Sequence, residues 1–173
     1  WPRDIIELEE MMDLSLDWDG PVAIRYARGA SVCHELPRKP LVAGEAEVIF
    51  DEGKYAIVSA GHIFDEAYKF HQMLAEKGHK AKLINLRFIN PLNMEALLGH
   101  LDVKAVYTFE ENSRAGGVGE MLSCAVYERY KSTKVHIMSL PASFVTHGTV
   151  NELRQLVGLT AEHAMSVFEA ELR

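Results

Sequence analysis

The chain has 173 residues, which is enough for one hydrophobic core of ordinary size and a small appendage. Its composition, 48% hydrophobic and 25% charged residues, is typical of a soluble globular protein, and no apolar run approaches the roughly 18 residues of a membrane span. A formal net charge of −7, with no dense cluster of Lys or Arg, argues against binding to a nucleic-acid backbone, so we expect neither a nucleic acid nor a membrane as a partner.

Residues 1–30 are predicted to form a unit of their own, one helix followed by one strand. Asp4 is a suitable N-cap, and Glu7 three residues later resembles a capping box. The apolar residues that follow lie at helical spacing on one face, namely Ile5, Leu8, Met12 and Leu16. Residues 19–21, Asp-Gly-Pro, end the helix, and residues 22–27 have the composition of a buried strand. One helix and one strand cannot make a sheet, so this unit needs neighbours from outside the chain.

Residues 31–44 are predicted to be a linker, because Pro37, Pro40 and Gly44 lie among charged residues without hydrophobic periodicity. From residue 45 onward, apolar segments alternate with amphipathic ones. Strands are predicted at residues 46–50, 55–60, 82–87, 104–109 and 134–139. Helices are predicted at residues 62–77, after Asn93, at residues 117–130, after Thr149 and after Thr160.

This alternation predicts an α/β fold of three layers around a mostly parallel five-stranded sheet, formed by residues 45–173. The first two strand candidates are separated by too few residues for a crossover helix. We therefore predict that residues 46–50 form an antiparallel edge strand.

The stretch from Glu110 to Gly119 combines two acids with three glycines, a combination that is compatible with a ligand site. A dinucleotide-binding fingerprint requires G-x-G-x-x-G or A after the first strand, whereas here Leu122 takes the third glycine position and the motif follows a late strand. A helix start with close backbone approach is therefore favoured. Adjacent strand residues point to opposite faces, so Glu110 and Glu111 are not expected to share one catalytic site, and one of them is expected to accept N–H groups of the helix at 117.

Histidines at three places are possible metal ligands or parts of a nucleophilic site, but none has the spacing of a ligand set. These places are His147-Gly148, His62 and Cys33-His34, and each is expected to hold a surface or turn histidine. Arg25 and Arg28 differ, because two guanidinium groups and a glycine at the end of a strand suit a phosphate or carboxylate. Salt bridges within the parent domain explain them equally well.

Four segments, in order, resemble the 1-deoxy-D-xylulose-5-phosphate synthase family. Residues 19–29 are similar to its D-G-P-x-A-I-R-Y-P-R-G, residues 87–92 to its R-F-x-K-P-L, residues 109–119 to its V-E-E-[HN]…G-G-x-G and residues 140–148 to its L-P-D-x-F-x-x-H-G. The chain departs from these patterns at Ala27, Asn90, Asn93 and Ala142. A diverged transketolase-like protein with another substrate is therefore the alternative.

The resemblance implies that residues 1–30 are the tail of a pyrimidine-binding α/β domain and that residues 45–173 are a transketolase C-terminal domain that serves assembly. It implies a cytoplasmic, homodimeric transferase that depends on thiamine diphosphate and Mg2+ and joins pyruvate to glyceraldehyde 3-phosphate. It also implies that Arg28 binds the substrate phosphate. The family's G-D-G…N motif and its catalytic glutamate have no counterpart in this sequence. We therefore expect the chain to hold no catalytic residue, cofactor or metal and to be inactive without its N-terminal cofactor and pyrimidine domains.

Two further inferences come from the residues themselves. Cys33 and Cys124 lie far apart and form no C-x-x-C motif, which favours a reducing cytoplasm. An unpaired apolar strand at residues 22–27 would recruit another chain, so a non-catalytic assembly or ligand-binding domain is the competing hypothesis.

Overall fold

The computed structural model describes residues 1–30 and 32–173. Its helices are α1 (Ile5–Leu16), α2 (Phe64–Glu76), α3 (Met94–Leu98), α4 (Val118–Arg129), α5 (Val150–Val157) and α6 (Ala161–Glu171). Its strands are β1 (Glu47–Phe50), β2 (Tyr55–Ala60), β3 (Ala81–Asn85), β4 (Ala105–Ser113) and β5 (Lys134–Leu140). A short 3-10 turn, Gly61–Ile63, joins β2 to α2.

The five strands form one sheet in the order β1-β3-β2-β4-β5. β2 pairs in parallel with β3 and with β4, and β4 pairs in parallel with β5. β1 lies at the edge and runs antiparallel to β3. The predicted fold class, a mostly parallel five-stranded sheet with one antiparallel edge strand, is confirmed.

Helices cover both faces of the sheet, which explains why β2 is buried along its whole length. On one face, Phe70 of α2 and Phe168 of α6 pack against Tyr107 of β4. On the other face, α3 and α4 place Leu98 and Leu122 in a second apolar cluster. Alternate residues of each strand supply the two clusters, as the two-residue period of a strand requires.

Local signals read from the sequence fix several helix ends. Thr149 and Glu152 form a complete capping box at the start of α5, and Gly158 ends that helix in the left-handed conformation. The side chains of Asn93 and Thr160 accept backbone N–H groups at the starts of α3 and α6. These predictions are confirmed.

Helix α1 begins at the predicted Asp4 N-cap, but its apolar face does not pack on the domain. Ile5 is 46%, Met12 56% and Leu16 84% exposed, whereas Glu7 and Met11 are buried. The physical reason is that the carboxylate of Glu7 forms a buried ion pair with Arg87 just after β3. The helix therefore packs on the domain through a charged side chain, and its apolar stripe faces away.

The predicted strand at residues 22–27 is wrong, because this segment pairs with no strand among the described residues. Its side chains are exposed except for Ile24, which is half-buried. A strand is stable only when its backbone groups find partners, and the backbone of this segment forms no hydrogen bond with any strand of the sheet. Residues 32–44 contain neither helix nor strand, as a linker requires, and Ser31 of the predicted linker lies outside the described residues.

None of the helices in the described part of the chain combines the length and the apolar character that crossing a membrane would require.

Candidate functional site

Parallel strands end at the same edge of a sheet, and in α/β proteins ligands bind beyond that edge. Here β2 ends at Ala60, β3 at Asn85, β4 at Ser113 and β5 at Leu140. Residues 21–30, which we call the strap, run past this edge, since Arg25 and Ala30 contact residues at the ends of β4 and β2. The candidate site is the set of side chains that the strap and this edge share.

Glu110 fills the start of α4. Its Oε2 accepts the N–H of Val118 at 2.9 Å and its Oε1 the N–H of Gly119 at 2.8 Å. A Cβ on Gly117 would lie 2.6 Å from Glu110 Oε1, and one on Gly119 would lie 2.6 Å from Thr108 Oγ1. The favoured interpretation, a helix start with close backbone approach and an acid that accepts its N–H groups, is confirmed. The protein's own carboxylate occupies the position that a dinucleotide phosphate would need.

Burial raises the pKa of Glu110 above the usual carboxyl range, and the two backbone N–H groups partly oppose that rise. A raised carboxyl pKa is one mark of a functional acid, but both oxygens are already bonded to the helix start. Glu110 is therefore a structural carboxylate in this chain.

Glu111 faces a different neighbour, Arg154 of α5. The Nε and NH2 groups of Arg154 lie 3.0 and 2.6 Å from Glu111 Oε1, and NH2 lies 3.0 Å from His62 Nδ1. Sequence reasoning missed Arg154. The sequence does carry one sign of its role, which is helical spacing. Val150, Arg154 and Val157 follow the i, i+4, i+7 pattern of one helix face, so Arg154 stands at a position where an apolar residue is usual. A charged residue at a buried helical position indicates a buried partner.

His62, predicted to be a turn histidine, lies in the 3-10 turn after β2 and joins this cluster through Arg154. His147 is exposed in the loop before α5, and Nε2 of His34 lies at hydrogen-bond distance, 2.8 Å, from Oδ1 of Asp65. Among residues 1–30 and 32–173, no group of three or more His, Cys, Asp or Glu side chains is arranged to hold a metal ion.

The two arginines of the strap have different surroundings. Arg25 donates from NH2 to the carbonyl oxygen of Glu111 at 2.8 Å, and its guanidinium lies 4.2 Å from the ring centroid of Trp1. Arg28 is exposed and has no hydrogen bond or ion pair with any other residue that the structure describes. Arg25 thus holds the strap, and Arg28 remains available for an anion.

A cleft of about 630 Å³ lies between α1, the strap and the loop after β3. The side chains of Trp1, Trp18 and Phe88 give it apolar walls, and Arg25 and Asn112 give it polar groups. A mostly apolar cleft with a few polar groups is the usual form of a small-molecule site. Arg25 belongs to the strap, so the strap forms one wall of the cleft.

Arg87, the first residue of the R-F-x-K-P-L resemblance, is only 2% exposed and is engaged in a charged network. Its Nε lies 2.7 Å from Glu7 Oε1 and its NH2 2.8 Å from Glu47 Oε1. Arg87 also has a φ of 58°, a conformation that costs a non-glycine residue energy and persists only where its surroundings hold it. In this chain, Arg87 fastens α1 to the sheet.

Comparisons with known proteins agree with this architecture. Residues 44–164 match the family described as the transketolase C-terminal domain. A 1-deoxy-D-xylulose-5-phosphate synthase of Brevibacillus brevis is 38% identical over 170 residues, which cover 94% of this chain and 27% of the relative. The synthase of Acidobacterium capsulatum is 35% identical over 167 residues, which cover 95% of this chain and 27% of the relative. The chain thus spans about a quarter of the length of these curated relatives.

A solved structure described as a split gene transketolase in an inactive β4 tetramer is similar to the chain, with a TM-score of 0.86 and 26% sequence identity. The match covers 98% of this chain and 55% of that one. It therefore extends over residues 1–30 as well as over the sheet.

Proposed function

The chain belongs to the transketolase C-terminal domain family, and from this premise we propose that it is the C-terminal part of a thiamine-diphosphate-dependent transferase. The proposed reaction of the whole enzyme joins pyruvate to glyceraldehyde 3-phosphate, giving 1-deoxy-D-xylulose 5-phosphate and CO2. The observation that carries this proposal is the similarity to synthases of that name, which extends over more than nine-tenths of the chain.

We assign the cofactor and the metal to parts of the enzyme outside this chain, because the described residues offer no cluster of metal ligands. When it is bound, thiamine diphosphate supplies a nucleophilic carbon and a ring that accepts electron density. The similarity to a split gene transketolase described as inactive supports the proposal that this chain by itself is inactive. Within the complete enzyme, residues 1–30 are the tail of the pyrimidine-binding domain, and residues 45–173 serve assembly of a cytoplasmic homodimer.

Arg28 is the residue that we propose binds the phosphate of the acceptor substrate. Its guanidinium is exposed, has no partner among the described residues and lies on a strap that is held on both sides, at Arg25 and at Ala30. A planar guanidinium with free N–H groups suits two phosphate oxygens at once. The strap thus presents one free cation beyond the carboxyl edge of the sheet.

The proposal is tested by Arg28→Ala in the complete enzyme. We expect kcat/KM for glyceraldehyde 3-phosphate to fall. The fall should correspond to a loss of about 2–4 kcal/mol in the interaction free energy of the acceptor, because the phosphate loses a charged hydrogen-bond partner. Steady-state kinetics at saturating pyruvate measure this loss. Arg129→Ala is the matched control, since Arg129 is an exposed arginine of α4 that pairs with Glu95.

Arg25→Ala, assayed in parallel, decides between the two arginines. A larger loss in Arg28→Ala than in Arg25→Ala supports the assignment, because Arg25 acts on the phosphate only through the strap that it holds. If Arg28→Ala leaves the acceptor kinetics unchanged and Arg25→Ala weakens acceptor binding, the phosphate would be assigned to Arg25 instead. If neither the complete wild-type enzyme nor any variant forms product from pyruvate and glyceraldehyde 3-phosphate, the proposed reaction is overturned.

A further inference from the structure

Arg154 lies at the centre of the contacts that hold the strap. It is 7% exposed, although it is a charged residue of a short helix near the surface. Its Nε and NH2 groups both donate to Glu111, and NH2 also lies within 3.0 Å of His62. The rigid fork of a guanidinium can serve a carboxylate and an imidazole together, which an ammonium group cannot do in the same geometry.

The protonation of His62 follows from this arrangement. A guanidinium only donates hydrogen bonds, so Nδ1 of His62 must accept. The imidazole is then neutral with its proton on Nε2, and that N–H points toward the carbonyl oxygen of Ala30, 3.4 Å away. Arg154 therefore selects the tautomer of His62 that can hold one end of the strap.

The other attachment of the strap is Arg25, which donates to the backbone carbonyl of Glu111. The side chain of the same Glu111 is bound by Arg154. No backbone–backbone hydrogen bond joins the strap to the rest of the described chain. The hydrogen bonds of the strap thus end on Glu111 and His62, the two residues that Arg154 contacts, and Arg28 lies between Arg25 and Ala30 in the chain.

We infer that Arg154 is a positioning residue that holds the strap through Glu111 and His62, and thereby places Arg28 at the carboxyl edge of the sheet. The inference rests on the proposed function for the role of Arg28. Loss of Arg154 leaves the Glu111 carboxylate without its cation and His62 without the donor that fixes its tautomer. Both attachments of the strap then loosen, and the cation that meets the acceptor phosphate loses its fixed place.

Trypsin provides a direct test, because it cleaves after Arg25 and after Arg28. In the 173-residue chain, the side chain of Arg25 is held against Trp1 and Glu111, so we expect slow cleavage after it. In Arg154→Gln the rate after Arg25 should rise about tenfold, since local opening becomes easier. Mass spectrometry of the peptides ending at Arg25 and Arg28 measures both rates, and circular dichroism at the same temperature verifies that the variant is folded.

Two variants sharpen this test. Arg154→Lys keeps the charge and loses the fork, so we expect a smaller rise of about threefold, and this variant remains informative if Arg154→Gln does not fold. Arg129→Gln is the matched control, because it breaks an exposed Arg–Glu pair on α4, and its cleavage rates should stay within about twofold of wild type. Rates after Arg25 that remain at the wild-type value in folded Arg154→Gln or Arg154→Lys would overturn the inference.

Kinetics of the complete enzyme connect the strap to the substrate. Arg154→Lys should raise KM for the phosphorylated acceptor about tenfold and leave KM for pyruvate within about twofold, because it displaces a binding group and spares the donor site. A larger change in KM for pyruvate than for the acceptor would contradict the positioning role. Faster cleavage after Arg25 with an unchanged acceptor KM would support the hold on the strap and overturn the assignment of the phosphate to Arg28.

Discussion

Glu110 is 1% exposed between the end of β4 and the start of α4, and each of its oxygens accepts one backbone N–H. The first N–H groups of a helix have no partner inside the helix, and the helix start carries partial positive charge. A buried carboxylate meets both needs. Gly117 and Gly119 are required beside it because a Cβ at either position would collide with neighbouring oxygens.

Glu110→Gln should lower the free energy of unfolding by about 1–3 kcal/mol. The amide offers one oxygen in place of two, so one N–H of Val118 or Gly119 loses its acceptor in a buried place. Urea unfolding of the 173-residue chain measures the change. Glu120→Gln is the matched control, since Glu120 accepts the N–H of Gly116 at an exposed position and its loss should cost no more than about 0.5 kcal/mol. Equal losses for the two variants would contradict this account of Glu110.

At the scale of elements, α1 is attached to the sheet by charge. Six buried or half-buried charged groups come from four separate segments, and they are Arg3, Asp4, Glu7, Arg38, Glu47 and Arg87. The three cations and three anions balance one another. Burial by itself would raise the pKa of Asp4, but the hydrogen bonds and charges around it, chiefly those of Arg38, hold that pKa below its usual value.

Glu7→Ala should destabilise the chain by about 3–5 kcal/mol, because it leaves Arg87 buried with one carboxylate fewer and removes the acceptor of the Asn85 amide. Glu9→Ala, an exposed acid of the same helix, should change stability by no more than about 0.5 kcal/mol. Chemical unfolding followed by circular dichroism compares the two. If Glu7→Ala is as stable as Glu9→Ala, the charged network does not fasten α1.

At the scale of the molecule, the polar attachment of α1 leaves an apolar surface uncovered. Ile5, Met12 and Leu16 share one face of α1 and are 46%, 56% and 84% exposed. Large exposed apolar side chains close together usually mark an interface. We propose that the upstream domains of the complete enzyme cover this face, which agrees with a chain that spans about a quarter of its relatives' length.

The 173-residue chain is therefore expected to self-associate through α1 at micromolar concentrations. Replacing Met12 and Leu16 together by Ser should shift sedimentation velocity profiles toward the monomer, since apolar area no longer drives association. The melting temperature should stay within a few degrees, because neither side chain belongs to the described cores. Leu156→Ser, at an exposed position of α5, is the control that should leave the profile unchanged. The expectation would be refuted if the wild-type chain were still monomeric at a concentration 100-fold above the micromolar range.

Features that depend on neighbours in sequence could be predicted from the sequence. The spacing of apolar residues and the turn residues gave the five strands in their places and the caps Asn93, Thr149 and Thr160. The acid and the glycines around α4 were also predictable, because Glu110 and Gly119 are close in the chain and the incomplete fingerprint favoured a helix start over a dinucleotide site. Such signals follow from backbone geometry and local hydrogen bonds.

Only the tertiary structure decided which groups meet across the chain. Arg154 and Glu111 are 43 residues apart and Arg154 and His62 are 92 apart, so no local pattern could pair them. The outward apolar face of α1 and the unpaired strap have the same origin, because periodicity shows which residues share a face but not what that face meets. The sequence by itself thus determined a transketolase-like sheet with its helices, whereas long-range charge pairing decided how α1 lies on it, and long-range contacts of Arg25 and His62 decided how the strap does.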